Sequence, residues 1–242
     1  SACLVGSEMC IRDRIENYLY ELDFFDDIKY CTVSKEFSIS DNPVVVQPCI
    51  RYNQAKSALK ALYNDPKFIK LSGDKQEFIY NKLLSDIKGR MLEEIVLLNV
   101  TRSLSDCFVS QFRFYEYRKS PFKNGEYDMV IRNKKNETFI FEIKHSSEVE
   151  YNKQTKHLLD VEKLDWLKEN GFKVKEKVVL YNGKTLDKDD NGVIYLNASE
   201  FLEELKVYDR NYLYNKNGIT DGNEDNDAVN ISIEDDFEDR DI

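Results

Sequence analysis

The sequence predicts an α/β fold, and two segments carry most of that prediction. Residues 125–131 and 139–144 are rich in β-branched and aromatic side chains, while the polar stretch 132–136 between them favours a turn, so together they predict a β-hairpin. Residues 75–104 carry apolar side chains at helical spacing and predict a long helix. Further strands are expected at 107–114, 176–181 and 193–196. Further helices are expected through much of 150–170, ended by Gly171, and at 199–206.

The hairpin brings two carboxylates together. If the chain folds back near Lys135, Asp128 lies opposite Glu142, and strand alternation puts Glu142 and Lys144 on one face. Facing carboxylates repel each other unless a cation lies between them, and a hard cation such as Mg²⁺ prefers oxygen ligands. The spacing agrees equally well with a salt-bridged group on a solvated sheet face. A chain with 33% charged residues also produces E-x-K triplets by chance, as at 204–206.

The long helix adds a possible third carboxylate. Asp74 and Glu77 are spaced as an N-cap and its partner. Glu93 falls beside the apolar stripe of the helix, where packing against the sheet would bring it to the same point as Asp128 and Glu142. An ordinary exposed helix glutamate is the alternative for Glu93.

Residues 15–70 predict a small N-terminal region. It has a short helix at 15–22, a strand at 27–33 and a helix at 52–63 after a break at Pro48. The region is too small for a core of its own, so it should pack on a main domain formed by residues 71–210.

Charge and cysteine content indicate the state of the C-terminal tail and the cellular compartment of the protein. Residues 221–242 hold ten acidic residues and one basic residue, a net of −9 in a chain of net charge −10, so the tail 211–242 is predicted to be disordered. Cys31, Cys49 and Cys107 are scattered and odd in number, which favours free thiols in a reducing cytoplasm. No apolar run approaches the ~20 residues needed to cross a bilayer, so we expect no membrane association.

The order of these elements resembles the PD-(D/E)XK nuclease fold, a restriction-endonuclease-like core with a mixed central sheet between helices. More closely, residues 15–205 are similar to the C-terminal part of a prokaryotic AAA+-like ATPase family, in which a nuclease-like domain of unknown function follows a winged helix. The similarity is carried by the segments 47–52 (QPCIRY), 89–93 (GRMLE), 125–128 (GEYD), 141–146 (FEIKHS) and 179–183 (VLYNG). It implies that residues 15–70 are a winged-helix remnant and connector.

The resemblance also implies roles for individual residues. Asp128 and Glu142 would bind Mg²⁺ or Mn²⁺, with the carbonyl of Ile143 as a further ligand and Glu93 as an accessory metal ligand. Lys144 would orient or help deprotonate the attacking water. Gln154 matches a polar position that some relatives use near the phosphate, although a solvated helix glutamine is the favoured interpretation. Glu126 and Tyr127 precede Asp128 where many of these nucleases have proline.

The N-terminus is unusual in another way. Residues 4–13 resemble one reading frame of a transposase adapter used in sequencing libraries, so residues 1–14 are expected to be an artefact and not part of the fold. The resemblance then places an ATPase domain upstream, as a partner in the same parent chain. The sequence contains no G-x-x-x-x-G-K-[S/T] phosphate loop, so this chain is not expected to bind ATP.

The leading functional hypothesis is a metal-dependent DNA endonuclease or exonuclease domain, with Glu93, Asp128, Glu142 and Lys144 as its catalytic residues. Hydrolysis of a phosphodiester needs an activated water and neutralisation of charge on the phosphate, and a carboxylate-held divalent ion supplies both. The alternative is a catalytically silent module that uses the same fold to bind DNA or to regulate the ATPase.

Overall fold

The computed structural model describes residues 14, 17–117, 119–150 and 154–207. Nearly all of the adapter-like segment and the whole acidic tail lie outside these residues. The described residues belong to one compact unit built on a seven-stranded mixed sheet with helices on its faces, which confirms the predicted α/β class. Its strands lie in the order β2-β1-β3-β4-β5-β6-β7. They are β1 (Phe25–Val33), β2 (Phe37–Val45), β3 (Phe108–Phe114), β4 (Gly125–Arg132), β5 (Glu137–Lys144), β6 (Lys173–Tyr181) and β7 (Val193–Asn197).

Antiparallel and parallel pairs alternate irregularly across the sheet. The pairs β1–β2, β3–β4 and β4–β5 are antiparallel, whereas β1–β3, β5–β6 and β6–β7 are parallel. The central strands β3, β4 and β5 are almost fully buried, as expected for strands covered on both faces.

Besides the helical residues 17–21, five α-helices are described. They are α1 (Pro48–Ala61), the single turn α2 (Pro66–Ile69), α3 (Gly73–Ser103), α4 (Val161–Glu169) and α5 (Ala198–Val207), with a 3₁₀ turn at Leu62–Asn64. Helix α3 contacts β1, β3 and β5 as well as α1 and α5, while α4 packs on β6. The long helix α3 therefore packs across the middle of the sheet.

The predicted hairpin is confirmed. Strands β4 and β5 pair in the expected register, from Met129 opposite Phe141 to Arg132 opposite Thr138. The turn depends on Asn133, whose Oδ1 accepts the backbone N–H groups of Lys135 and Glu137 at 2.9 and 3.0 Å. Asn136 adopts a left-handed φ of 59°, a conformation that asparagine tolerates better than most residues.

A β-bulge interrupts the pairing of β4 with β3. Ser110 pairs with Val130 and Phe112 pairs with Tyr127, so β4 has one extra residue between these two pairs. Asp128 lies at this irregularity. Bulges re-aim side chains at the ends of strands, and here the bulge falls on one of the predicted site residues.

The N-terminal strands extend the same sheet. Strand β1 covers the predicted strand at 27–33 and pairs in parallel with β3, and β2 forms the sheet edge. Residues on both sides of the division predicted at residue 70 therefore contribute to one sheet. The identity of residues 15–70 as a winged-helix remnant stays a prediction.

Three local predictions were wrong. Strand β2 was not predicted, because its sequence FSISDNPVV is polar and contains Pro43, which suits an exposed edge strand. Asp74 is not the N-cap of α3. The cap position is Ser72, and it makes no side-chain hydrogen bond. The helix expected within 150–170 is shorter, because Asp160 caps α4 by accepting the Lys163 N–H, although Gly171 ends it as predicted with a left-handed φ of 80°.

Candidate metal and phosphate site

The hairpin brings Asp128, Glu142 and Lys144 into one group. Continued by one residue, the β4–β5 register places Asp128 opposite Glu142, and both carboxylates are almost completely buried. The Lys144 Nζ lies 2.5 Å from Glu142 Oε1 and 3.7 Å from Asp128 Oδ2. The lysine therefore supplies the positive charge that compensates the facing carboxylates in this structure.

Asp128 is held by the backbone of the opposite strand. Its Oδ2 accepts the N–H of Ile143 at 2.7 Å, where a ladder bond of the hairpin would otherwise continue. This bond fixes the carboxylate at the end of the sheet and partly offsets the cost of burying it.

Glu142 is less well satisfied. Its Oε2 is buried and makes no hydrogen bond with any described residue. A buried carboxylate oxygen without a partner destabilises the fold by about 1–3 kcal/mol, more when the group is charged. Such an atom marks a place where a proton or a cation is favoured.

Burial and mutual repulsion dominate the electrostatics of the group. Burial, reinforced by the nearby Asp128 carboxylate, raises the pKa of Glu142 to about 8. Burial also raises the pKa of Asp128 to about 6, although Lys144 and the Ile143 N–H act in the opposite direction. Burial alone would lower the pKa of Lys144, but the charges of Asp128 and Glu142 outweigh it and the net direction is upward. At neutral pH Glu142 is therefore largely protonated, and Lys144 compensates the charge of Asp128.

Glu93 reaches the same electrostatic neighbourhood from α3. Burial and the charge of Asp128 raise its pKa to about 8; Glu126 and Glu142 act in the same direction and Lys144 in the opposite one. Its side chain lines a cleft of about 520 Å³ between α3, β1, β3 and the start of β4. Among the described residues, however, no three His, Cys, Asp or Glu side chains lie close enough to hold a metal ion together. A direct ligand role for Glu93 stays a prediction.

Tyr30, Asn124 and His157 line the cleft but were not singled out as site residues from the sequence. Arg113 also lines the cleft, and its guanidinium lies over the Tyr30 ring at 4.9 Å and 3.3 Å from Glu126. The rarity of histidine, with two in the whole chain, is a weak signal that could have drawn attention to His157.

Gln154 has a different role from either one considered for it. It is buried, its Oε1 accepts the Glu150 N–H at 3.1 Å, and its Nε2 donates to Ser146 Oγ and the Glu148 carbonyl at 3.0 and 2.9 Å. The prediction of a solvated helix glutamine was therefore wrong. Gln154 ties together the loop that leaves β5 directly after Lys144.

The remaining sequence predictions concern cysteines and membrane spans. Cys31, Cys49 and Cys107 are free thiols, as expected. Among the helices in the described part of the chain, none combines the length and the apolar character required to cross a bilayer.

Comparison with known proteins gives little further information. No protein-family model matches the chain, and no curated protein matches it. The chain is similar to a chain in the refined half-complex of the tetradecameric assembly of Thermococcus gammatolerans McrB AAA+ hexamers with bound McrC. The identity is 9%, the match covers 80% of this chain and 65% of that chain, and the TM-score is 0.27. A similarity at this level does not establish a shared fold and carries no argument about function.

Proposed function

We propose that this domain hydrolyses phosphodiester bonds of DNA with Mg²⁺ or Mn²⁺ held by Asp128 and Glu142. The observation that carries the proposal is the buried pair of facing carboxylates at a β-bulge, with Lys144 beside them. In the part of the chain that the structure describes, Glu142 Oε2 has no hydrogen-bond partner. Strongly perturbed carboxylates next to a cleft are typical of functional sites, whereas a solvated surface ion pair would be exposed and satisfied.

The donor set suits a magnesium-type ion. Asp128 and Glu142 offer hard carboxylate oxygens, and Mg²⁺ commonly binds through one or two carboxylates while water and substrate phosphate complete its shell. Two close carboxylates are therefore sufficient even though the described residues contain no three-residue group. When bound, the ion would neutralise charge on the phosphate and increase the acidity of a bound water.

Lys144 supplies the remaining chemistry from the protein. About a third of its side chain is exposed, so its ammonium can reach a substrate while its stem remains against the sheet. Binding of a divalent cation by Glu142 would free Lys144 Nζ from its 2.5 Å contact with that carboxylate. The ammonium could then hold the attacking water or stabilise charge that develops on the phosphate.

The test is cleavage of supercoiled plasmid and of single-stranded DNA in the presence of Mn²⁺. We expect the wild-type protein to cleave and Lys144→Ala to lose cleavage while it still binds Mn²⁺. Lys134→Ala is the matched control, because Lys134 lies in the β4–β5 turn at the far end of the same strands and makes only an exposed 3.8 Å ion pair with Asp106.

Two results would contradict the proposal. One is wild-type cleavage no greater than that of Lys144→Ala on both substrates. The other is cleavage that Asp128→Asn and Glu142→Gln retain, which would assign the activity to a contaminant or to another site. DNA binding without any cleavage would favour the catalytically silent module.

A further inference from the structure

His157 is held in one tautomer by a buried lysine. Its Nδ1 lies 3.0 Å from Lys163 Nζ, and the Lys163 side chain is 1% exposed. Lys163 also pairs with Asp160 at 3.3 Å and lies over the Phe114 ring at 5.5 Å, which supports its charged form. An ammonium can only donate hydrogen bonds, so Nδ1 must accept and the proton of the neutral imidazole must be on Nε2.

This arrangement leaves an N–H donor at the cleft. Burial, and next the charge of Lys163, lower the pKa of His157, so the ring is neutral at neutral pH. Nε2 makes no hydrogen bond with any described residue, and His157 lines the cleft.

Asn124 presents a second donor to the same cleft. Its Oδ1 accepts the backbone N–H of Glu116 at 2.6 Å, so the acceptor end of the amide is occupied and the NH₂ end is directed elsewhere. Asn124 and His157 both line the cleft. The two side chains have used their acceptor atoms internally and retain their N–H groups for a ligand.

Gly125 allows this packing. A Cβ at this position would lie 2.4 Å from Lys163 Nζ and 2.8 Å from His157 Nδ1 and Cε1, so the lysine and the imidazole occupy the space of a missing side chain. Gly125 directly follows Asn124 and begins the strand that carries Asp128, and the donors share their cleft with Glu93. The electrostatic influence of Lys144 on His157 agrees with this proximity.

We propose that His157 Nε2–H and the Asn124 amide bind a non-bridging oxygen of a DNA backbone phosphate. This phosphate would be next to the one bound by the metal ion at Asp128 and Glu142. The inference rests on the proposed function and specifies how the strand is held beside the reacting bond. Lys163 is a positioning residue, since it acts through His157 and is buried. Phosphate oxygens accept hydrogen bonds and donate none, which matches two donors without a free acceptor.

Three glutamates line the cleft, and two of them are compensated by arginines. Glu126 pairs with Arg113 at 3.3 Å, which compensates its charge. Glu94 pairs with Arg51, which compensates its charge as well. Arg90 also lines the cleft and adds positive charge to the wall formed by α3.

The first test is the tautomer itself, which can be measured without DNA. His145→Gln leaves His157 as the single histidine of the 242-residue chain, so long-range ¹H–¹⁵N correlation of the ring reports on it alone. We expect one Nε2–H tautomer at neutral pH. An Nδ1–H tautomer, or a protonated ring, would overturn the inference.

The second test is binding of a fluorescent single-stranded oligonucleotide, with Ca²⁺ in place of Mg²⁺ to suppress cleavage. We expect His157→Leu to weaken binding roughly tenfold, the value of one hydrogen bond to a charged group. His157→Gln keeps an N–H donor near the position of Nε2 and should recover most of the affinity. The affinity of Lys163→Met should lie between those of His157→Leu and His157→Gln. His145→Gln is the control and should bind as the wild type does, and thermal unfolding should show that every variant is folded.

An oligonucleotide with a modified, uncharged backbone distinguishes a contact of His157 with a phosphate from a contact with a base. With stereodefined methylphosphonate oligonucleotides, in which a methyl group replaces one non-bridging oxygen, the difference between wild type and His157→Leu should disappear for one of the two diastereomers. Equal affinity of these two proteins for normal DNA, or a difference that persists on both diastereomers, would overturn the inference while leaving the proposed function intact. A wild-type protein that binds no DNA would overturn both.

Discussion

Replacing Glu142 with glutamine should make the stability of the protein less dependent on pH. Glu142 is 4% exposed, its Oε2 has no partner among the described residues, and burial together with Asp128 raises its pKa from 4.5 to about 8. The folded protein therefore holds this proton at pH values where the unfolded chain has released it. Between about pH 4.5 and pH 8 the folded state binds more protons, so the free energy of unfolding falls as the pH rises.

The size of this pH dependence is that of one proton held by Glu142 in the folded state. Each pH unit inside this window removes about 1.4 kcal/mol of stability per proton, so Glu142 accounts for a loss of roughly 2–3 kcal/mol between about pH 5 and pH 7. Glutamine has nearly the same shape and cannot ionise, so this contribution disappears in Glu142→Gln. Glu93, whose pKa is raised by burial and by Asp128, contributes in the same direction and should leave a residual slope.

Urea unfolding at a series of pH values measures this slope. Trp166 is the single tryptophan of the chain and packs against Phe37, Phe114 and Phe172, so its fluorescence reports on the core. The control is Glu204→Gln, which changes the glutamate of the other E-x-K triplet, in α5. We expect the wild type and Glu204→Gln to lose stability in parallel and Glu142→Gln to lose much less. Identical slopes for Glu142→Gln and the wild type would refute the assignment of a raised pKa to this carboxylate.

Other predictions concern packing around the site. Gly125→Ala should destabilise the fold by roughly 1–3 kcal/mol, because its Cβ would overlap the buried Lys163 Nζ. Gly89→Ala should stabilise the fold by about 0.5–1 kcal/mol, because Gly89 is in the interior of α3 and no described atom is near the added methyl. Urea midpoints of the two variants that move in the same direction would contradict this pair of predictions. Gln154→Ala should lower the free energy of unfolding by about 1–3 kcal/mol and speed amide hydrogen exchange in the loop after β5, because the hydrogen bonds to Ser146 and Glu148 are lost. Unchanged exchange in this loop would show that Gln154 does not hold it.

The sequence predicted the centre of the fold better than its edges. The hairpin register could be predicted because turn chemistry at Asn133 and alternating apolar side chains act locally. The edge strand β2 could not, since an exposed edge has little need for apolar residues and tolerates Pro43. The start of α4 depends on the Asp160 cap, which shortens a segment whose periodicity alone suggests a longer helix.

The site was predictable in its chemistry and not in its geometry. The opposition of Asp128 and Glu142 follows from the register, but the bulge at Asp128 depends on pairing with β3, which is distant in sequence. The contact between Lys163 and His157 could not be anticipated, because it requires Gly125 from another element to leave room for both. Such contacts appear only when three separate segments pack together.

The most direct measurement of the central claim is a calorimetric titration of Mn²⁺ into the wild-type protein and into Asp128→Asn at neutral pH. We expect the wild type to bind one ion with release of protons, because Asp128 and Glu142 must be deprotonated to ligate it and both have raised pKa values caused mainly by burial. Asp128→Asn should lose this heat and Lys144→Ala should retain it. Equal binding by the wild type and Asp128→Asn, or no binding by either, would contradict a metal site between these strands.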